Sequence, residues 1–288
     1  MKIGNILHEG KVIAAVLTKD GVTPISWIGG IPERAKKMST DDILMNPDIF
    51  RILQDAGDSD TADFNALAEP MYAPVVLMPQ KILCIGLNYR SHVEETNDRI
   101  PDTPVIFSKY TNSLAASGQA IPIPKETAQL DYEGELGIVI GKKGKDIAQK
   151  NAADHIFGYF VGNDLSARDL QFRTSQWLLG KSCDYFYPCG PFITTADEIT
   201  DPQKLDIRTH VNGEVRQNSN TSYMIFSCSF LVSYISKFMT LYPGDIISTG
   251  TPEGVILGMP EKNRKWIAPG DTVTVEIEKL GRLENRFT

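Results

Sequence analysis

The chain reads as an α+β protein rich in strands, with a small amino-terminal lobe over residues 1–77 and a larger strand-built domain over 78–288. Three observations predict this. Short apolar runs bounded by Gly, Pro, Asn and Asp recur along the chain, which is the patterning of strands and turns. Helical spacing of apolar residues is sustained over only two long stretches, 41–56 and 223–239. The 288 residues exceed the ~100–200 of one ordinary domain, and a proline-bearing segment divides them.

In chain order, KIGNIL, VIAAVL and VTPISWI alternate with turn signals, and Asp20-Gly21 predicts a hairpin. Asp41 to Ala56 has helical spacing broken near Pro47, and Gly57 ends it. No cluster of acids with His or Cys accompanies His8, so this lobe receives no chemistry. Pro70, Pro74 and Pro79 make Glu69 to Gln80 the candidate linker, with the boundary near residue 77. KILCIG then predicts a strand, and the polar stretch Leu87 to Pro101 holds a short helix on which His92 and Glu95 share a face. PVIFSKY reads as a strand and AIPIP as an extended lead-in. Asn212-Gly213 predicts a second hairpin, Tyr223 to Met239 a long helix with a core stripe, and the Pro-Gly-Asp turns at 243–245 and 269–271 lead into strands.

Composition narrows the function. A net charge of −7 argues against nucleic acid as a partner, because phosphate binding needs a basic surface. The Lys142-Lys143-Gly144-Lys145 cluster is loop-sized and reads as a solvated turn. No apolar run approaches the ~18 residues of a membrane span, and the start lacks a signal peptide's apolar region, so a cytoplasmic protein is expected. Cys84, Cys183, Cys189 and Cys228 have neither disulfide-framework nor zinc spacing.

The stretch that carries chemistry begins at Asp131-Tyr132-Glu133-Gly134-Glu135-Leu136. Alternation along a strand points Glu133 and Glu135 one way and Tyr132, Leu136, Ile138 and Ile140 the other. A second apolar run, HIFGYFVG, ends at Asn163-Asp164, which brings a third acid to a strand end. Adjacent buried carboxylates repel unless a cation lies between them. An arbitrary E-x-E is more often a polar strand face, but with Asp164 the set makes an all-oxygen site suited to Mg²⁺ or Mn²⁺, with Ca²⁺ possible. Gly180-Lys181-Ser182 resembles the tail of a phosphate loop, yet Ser175 stands where the first glycine is required, so nucleotide binding is not expected.

DYEGELGIVIGKKGKDI, GYFVGNDLSARDLQ, QWLLGKSCDYFYPCGPF, VNGEVRQ and PGDIISTGTPEGV together resemble, in order and spacing, the fumarylacetoacetate hydrolase family, over roughly residues 78–288. The resemblance implies a mixed β-roll and a metal-dependent enzyme of the acylpyruvase or fumarylpyruvate hydrolase kind, acting on small β-diketo or β-keto acids. It makes Glu133, Glu135 and Asp164 the metal ligands. It also makes His92 the general base oriented by Glu95, with Glu94 one position off the motif, and Lys181 a pocket cation. Arg168, Gln171, Thr251 and Lys109 are then substrate-binding residues. The reaction expected is hydrolysis of a C–C bond in an acylpyruvate. Oxaloacetate decarboxylation, a related isomerase or lyase reaction, and a non-catalytic metal-binding scaffold are the alternatives. A homodimer is expected. Asp184-Tyr185-Phe186 departs from the family's Asp-Thr-Phe.

Overall fold

The computed structural model describes residues 1–57 and 65–288. The chain opens with an antiparallel ribbon of β1 (Lys2–His8), β2 (Lys11–Thr18) and β3 (Gly21–Pro24). The β2–β3 hairpin that the sequence predicts is present, but it turns at Lys19-Asp20, with Gly21 paired to Thr18 as the first residue of β3. The helical stretch is two helices, α1 (Thr40–Leu44) and α2 (Pro47–Gly57), broken where Pro47 begins the second. Proline fits there because the first helical N–H has no partner within the helix. Ser39 and Asp42 form a capping box on α1. The proline-bearing stretch is not a free linker, since β4 (Met71–Ala73) within it pairs with β1.

The remaining strands divide between one large sheet and three smaller ones. They include β5 (Ile82–Gly86), followed by helix α3 (Arg90–Glu95), then β6 (Val105–Lys109), β7 (Leu114–Ala115), β8 (Leu130–Asp131), β9 (Gly134–Ile140), β10 (Ile156–Asn163) and β11 (Ser166–Ala167). Two one-turn helices, α4 (Arg168–Gln171) and α5 (Leu178–Lys181), precede β12 (Tyr187–Pro188) and β13 (Ile193–Thr195). After them come β14 (Asp206–Val211), β15 (Glu214–Asn220), α6 (Cys228–Ser236), β16 (Ile246–Ser248), β17 (Thr272–Ile277) and β18 (Gly281–Arg286).

Among the described residues the large sheet runs β3-β2-β1-β13-β10-β9-β16-β5-β6 with β4 beside β1, and a four-stranded sheet β15-β14-β17-β18 stands apart from it. The amino-terminal strands join the rest because β1 places Lys2 opposite Thr194 of β13. β9 is central and buried along its whole length, which explains its nearly unbroken apolar run. Its alternation is as predicted: Tyr132, Leu136, Ile138 and Ile140 share one core cluster, while Val139 enters another with Phe160. Asn212 and Gly213 turn β14 into β15 with φ of 51° and 82°, the left-handed pair that a tight hairpin demands.

One helix is shorter than its apolar stripe suggests. α6 spans Cys228–Ser236, capped by Ser227, rather than 223–239. The backbone N–H groups of Ile225 and Phe226 donate instead to the carbonyl and side chain of Asn88, which holds that segment out of the helix. Among the described residues no helix is long and apolar enough to cross a membrane.

Candidate active site

The site forms where β9 and β10 end side by side. Glu135 lies on β9 opposite Gly162 of β10. Tyr132 and Glu133 leave the ladder just before β9. Here Glu133 N donates to the Asn163 side chain at 3.0 Å, and its carbonyl accepts from Asp164 N at 2.8 Å. These crossed bonds bring the acids together: Glu133, Glu135 and Asp164 each offer an oxygen within 4.8 Å of the others, and all three are buried.

The carboxylates are not alone. Lys181 Nζ stands 2.7 Å from Glu133 and 3.1 Å from Asp164, and is only 2% exposed. Lys109 Nζ donates to Asp164 and, at 3.2 Å, to the Leu165 carbonyl. Arg168 Nη2 bridges Glu133 at 2.7 Å and Asp131 at 3.0 Å. The three cations thus meet Glu133, Asp164 and Asp131, and leave Glu135 to hydrogen-bond donors only: the Ser248 hydroxyl and Gly250 N at 3.0 Å. The electrostatics follow this division. Burial opposes ionisation of Glu133, but Lys181 and Arg168 overcome it and hold its carboxyl well below the usual range. Burial pushes the Glu135 carboxyl up, and the Asp164 and Glu133 charges push it further. Lys181 loses solvation on burial, yet Asp164 and Glu133 keep its ammonium above the ordinary value.

This donor set fits a hard divalent cation. It supplies carboxylate oxygens and no sulfur or imidazole, and the Glu135 charge that burial disfavours is the kind a dication stabilises.

Facing the acids, α3 presents His92 and Glu95, with Nδ1 of the imidazole 2.8 Å from Glu95 Oε1. Glu94, by contrast, is exposed and lines a separate groove with Arg90 and Tyr223. A pocket of about 80 Å³ touches His92, Glu133, Glu135, Arg168, Gln171, Lys181 and Thr251 together. Aromatic side chains add a wall, in which Phe107 and Trp177 meet edge to face at 5.4 Å and Lys181 Nζ sits 5.0 Å from the Phe107 ring centre. Gln171 accepts from Arg168 Nη1 at 3.0 Å. The Thr251 hydroxyl donates to the Gly134 carbonyl at 2.9 Å and accepts from Gln217 at 2.8 Å.

Of the side chains singled out in the sequence, Asp164, Glu95 and Lys109 lie outside the pocket lining and reach it through Lys181, His92 and Asp164 respectively, while the others line it. Three that the sequence reading passed over also shape it. Asp131 is fully buried and holds Arg168; it lies two residues before Glu133, so the alternation that marks the glutamates could have marked it too. Ser248 and Gln217 carry no such signal.

A model of the carboxy-terminal region of fumarylacetoacetate (FAA) hydrolase matches residues 81–288. The chain belongs to the fumarylacetoacetate hydrolase family. Membership makes it an enzyme of a group acting on small organic acids, generally with a divalent metal. A mitochondrial oxaloacetate tautomerase of Xenopus laevis is 46% identical over 217 residues, covering 75% of this chain and 67% of the relative. The human mitochondrial oxaloacetate tautomerase FAHD2A is 43% identical over 221 residues, covering 76% and 70%. Among solved structures, a fumarylacetoacetate hydrolase from psychrophilic Exiguobacterium antarcticum aligns over 100% of this chain and 99% of its own, with a TM-score of 0.86 at 33% identity.

Proposed function

We propose that the protein interconverts the keto and enol forms of oxaloacetate or a closely similar 2-oxo acid, with residues 78–288 as its catalytic part and Glu133, Glu135 and Asp164 as its metal ligands. The observation that carries this reading is the His92–Glu95 pair, set across one small pocket from an acidic triad. Relatives more than 40% identical that bear the oxaloacetate tautomerase name support it.

Bound by the three acids, Mg²⁺ or Mn²⁺ would supply positive charge to the substrate's carboxylate and 2-oxo oxygens. The chain's own residues do the rest. Glu95 accepts from Nδ1–H of His92, which leaves Nε2 free to take a proton. His92 removes a proton from C3, the C–H pair becomes the C2–C3 double bond, and the 2-oxo oxygen gains the charge and then a solvent proton. Loss of the enol O–H proton to solvent, with return of the proton from Nε2 to C3, reverses the reaction. Lys181 and Arg168 keep positive charge beside the oxygen while it is anionic. Gln171 and Thr251 orient the substrate, and Lys109 holds Asp164 from behind.

Hydrolysis of an acylpyruvate is the second reading, favoured by the whole-chain likeness to a fumarylacetoacetate hydrolase. There His92 would draw its proton from water. One experiment separates the two. Purified protein with Mg²⁺ or Mn²⁺ is given oxaloacetate, followed by loss of its enol absorbance, and separately acylpyruvates in ¹⁸O water. Enol decay far above the uncatalysed rate without loss of carbon supports tautomerisation. Pyruvate plus a carboxylate bearing one solvent oxygen, formed at the higher kcat/KM, replaces it with hydrolysis.

A further inference from the structure

The loop Gly250–Gly258 touches both halves of the site. On the acidic side, Gly250 N donates to Glu135, Thr251 to the Gly134 carbonyl, and Ile256 N and Leu257 N to Asp131 at 2.9 and 3.0 Å. On the other side the same loop grips α3. Gly254 N donates to Glu95 Oε2 at 2.9 Å, and Glu253 accepts from the Ser91 hydroxyl. Glu95 is therefore shared, one oxygen on the imidazole and one on the loop.

α3 needs such holding. It has six residues, and so short a helix does not stand on its own hydrogen bonds. Asn88 fixes its leading end, donating to the Thr249 and Phe226 carbonyls at 2.7 and 3.1 Å. Beyond Asn88, side-chain bonds from α3 to the loop come from Ser91 and Glu95 alone among those described. Two glycines let the loop come this close. Gly254 has φ of 103°, and a Cβ on it would lie 2.1 Å from the Arg216 carbonyl oxygen. A Cβ on Gly258 would fall 2.4 Å from both Cδ and Oε2 of Glu95.

We infer that Ser91, Glu253, Gly254 and Gly258 are positioning residues that latch the His92–Glu95 pair over the acidic triad. The Gly254 N–H fixes the rotation of the Glu95 carboxylate and so the orientation of His92, while Ser91–Glu253 keeps α3 seated on the loop. The kinetic half of this inference rests on His92 moving a proton, as proposed above; the structural half does not.

The test pairs amide hydrogen exchange over residues 93–98 with steady-state kinetics on full-length protein, for S91A, S91T, E253A, E253Q and the double variant S91A/E253A. Ser91 and Glu253 are only partly buried, so these changes leave the core intact. The latch predicts exchange about tenfold faster in S91A and in E253A, no faster in the double variant, and near wild type in S91T and E253Q, which keep a donor and an acceptor. It predicts kcat lowered about tenfold in the same variants that exchange faster, with Mg²⁺ affinity measured by calorimetry unchanged. G258A, which displaces Glu95 directly, should lower kcat further than S91A. Unchanged exchange in both S91A and E253A, or failure of S91T and E253Q to restore it, overturns the latch. If wild-type protein turns over neither oxaloacetate nor acylpyruvates, the proposed function fails while the exchange result still decides the latch.

Discussion

The two halves of the pocket are held in opposite ways. Glu133, Glu135 and Asp164 project from the ends of β9 and β10, in the middle of a sheet buried on both faces. His92 and Glu95 ride on a six-residue helix fixed by a handful of contacts from Asn88 and one loop. Rigid placement suits groups that must keep a fixed separation to hold an ion. A peripheral helix can yield to admit substrate and then return, and elements that move are drawn from the least stable parts of a fold. Under the proposed function, the comparison makes metal holding and proton transfer separable.

Breaking the rigid half should have the largest effect. Chelation is expected to abolish turnover and Mg²⁺ or Mn²⁺ to restore it. Glu135→Ala should lose metal binding by calorimetry without unfolding the protein, because burial already disfavours the charge it removes. Full activity in metal-free protein would refute the assignment. Breaking the helical half should be milder and of another kind. His92→Ala should keep metal affinity and lose about 10²–10⁴-fold in kcat, the range for a positioned general base. Should metal binding collapse as well, His92 belongs to the ligand shell and the separation is wrong.

Much of the rigid half was legible in the sequence. An apolar run with acids alternating at its head specifies a central strand and a cluster of carboxylates. Turn residues placed both hairpins, Asn212-Gly213 on the turn itself and Asp20-Gly21 one residue beyond its start. What stayed hidden depends on backbone donors, which no side-chain pattern encodes. β1 joins β13 across some 190 positions through main-chain bonds, so the first residues extend the large sheet unannounced. Asn88 shortens α6 by capturing the N–H of Phe226, 138 positions away. The side-chain pairing of Arg168 with Asp131 also has no local signal, because the two stand 37 positions apart and meet only in the folded chain.

Gln217 sharpens the contrast by a stability measurement. It is fully buried, accepts from Gly134 N at 3.0 Å, and donates to Thr251 at 2.8 Å and the Pro252 carbonyl at 2.9 Å. It therefore ties the second sheet to both the metal strand and the latch loop. Gln217→Leu strands those partners without water, at a cost of about 1–3 kcal/mol for each group left unsatisfied. Chemical denaturation should show a drop of that order, with residual activity in whatever fraction stays folded. A neutral result would mean that the loop and the strand are held independently.

The smallest expected effect tests which of two neighbouring glutamates serves His92. Glu95 carries the 2.8 Å bond to Nδ1 and the 2.9 Å bond from Gly254 N. Glu94 is exposed on the far side of α3. Glu95→Gln can still accept from Gly254, but it removes the charge that favours protonated His92. It should lower kcat by about 10–100-fold, less than loss of the imidazole itself, because the base survives and only its orientation and stabilisation weaken. Glu94→Gln should change kcat by less than about twofold, since an exposed charge on the opposite face is screened by solvent. Equal losses in the two variants would mean that what matters is the net charge of α3 rather than the one directed bond. The dyad would then reduce to a field effect, and the latch on Glu95 would have nothing specific to position.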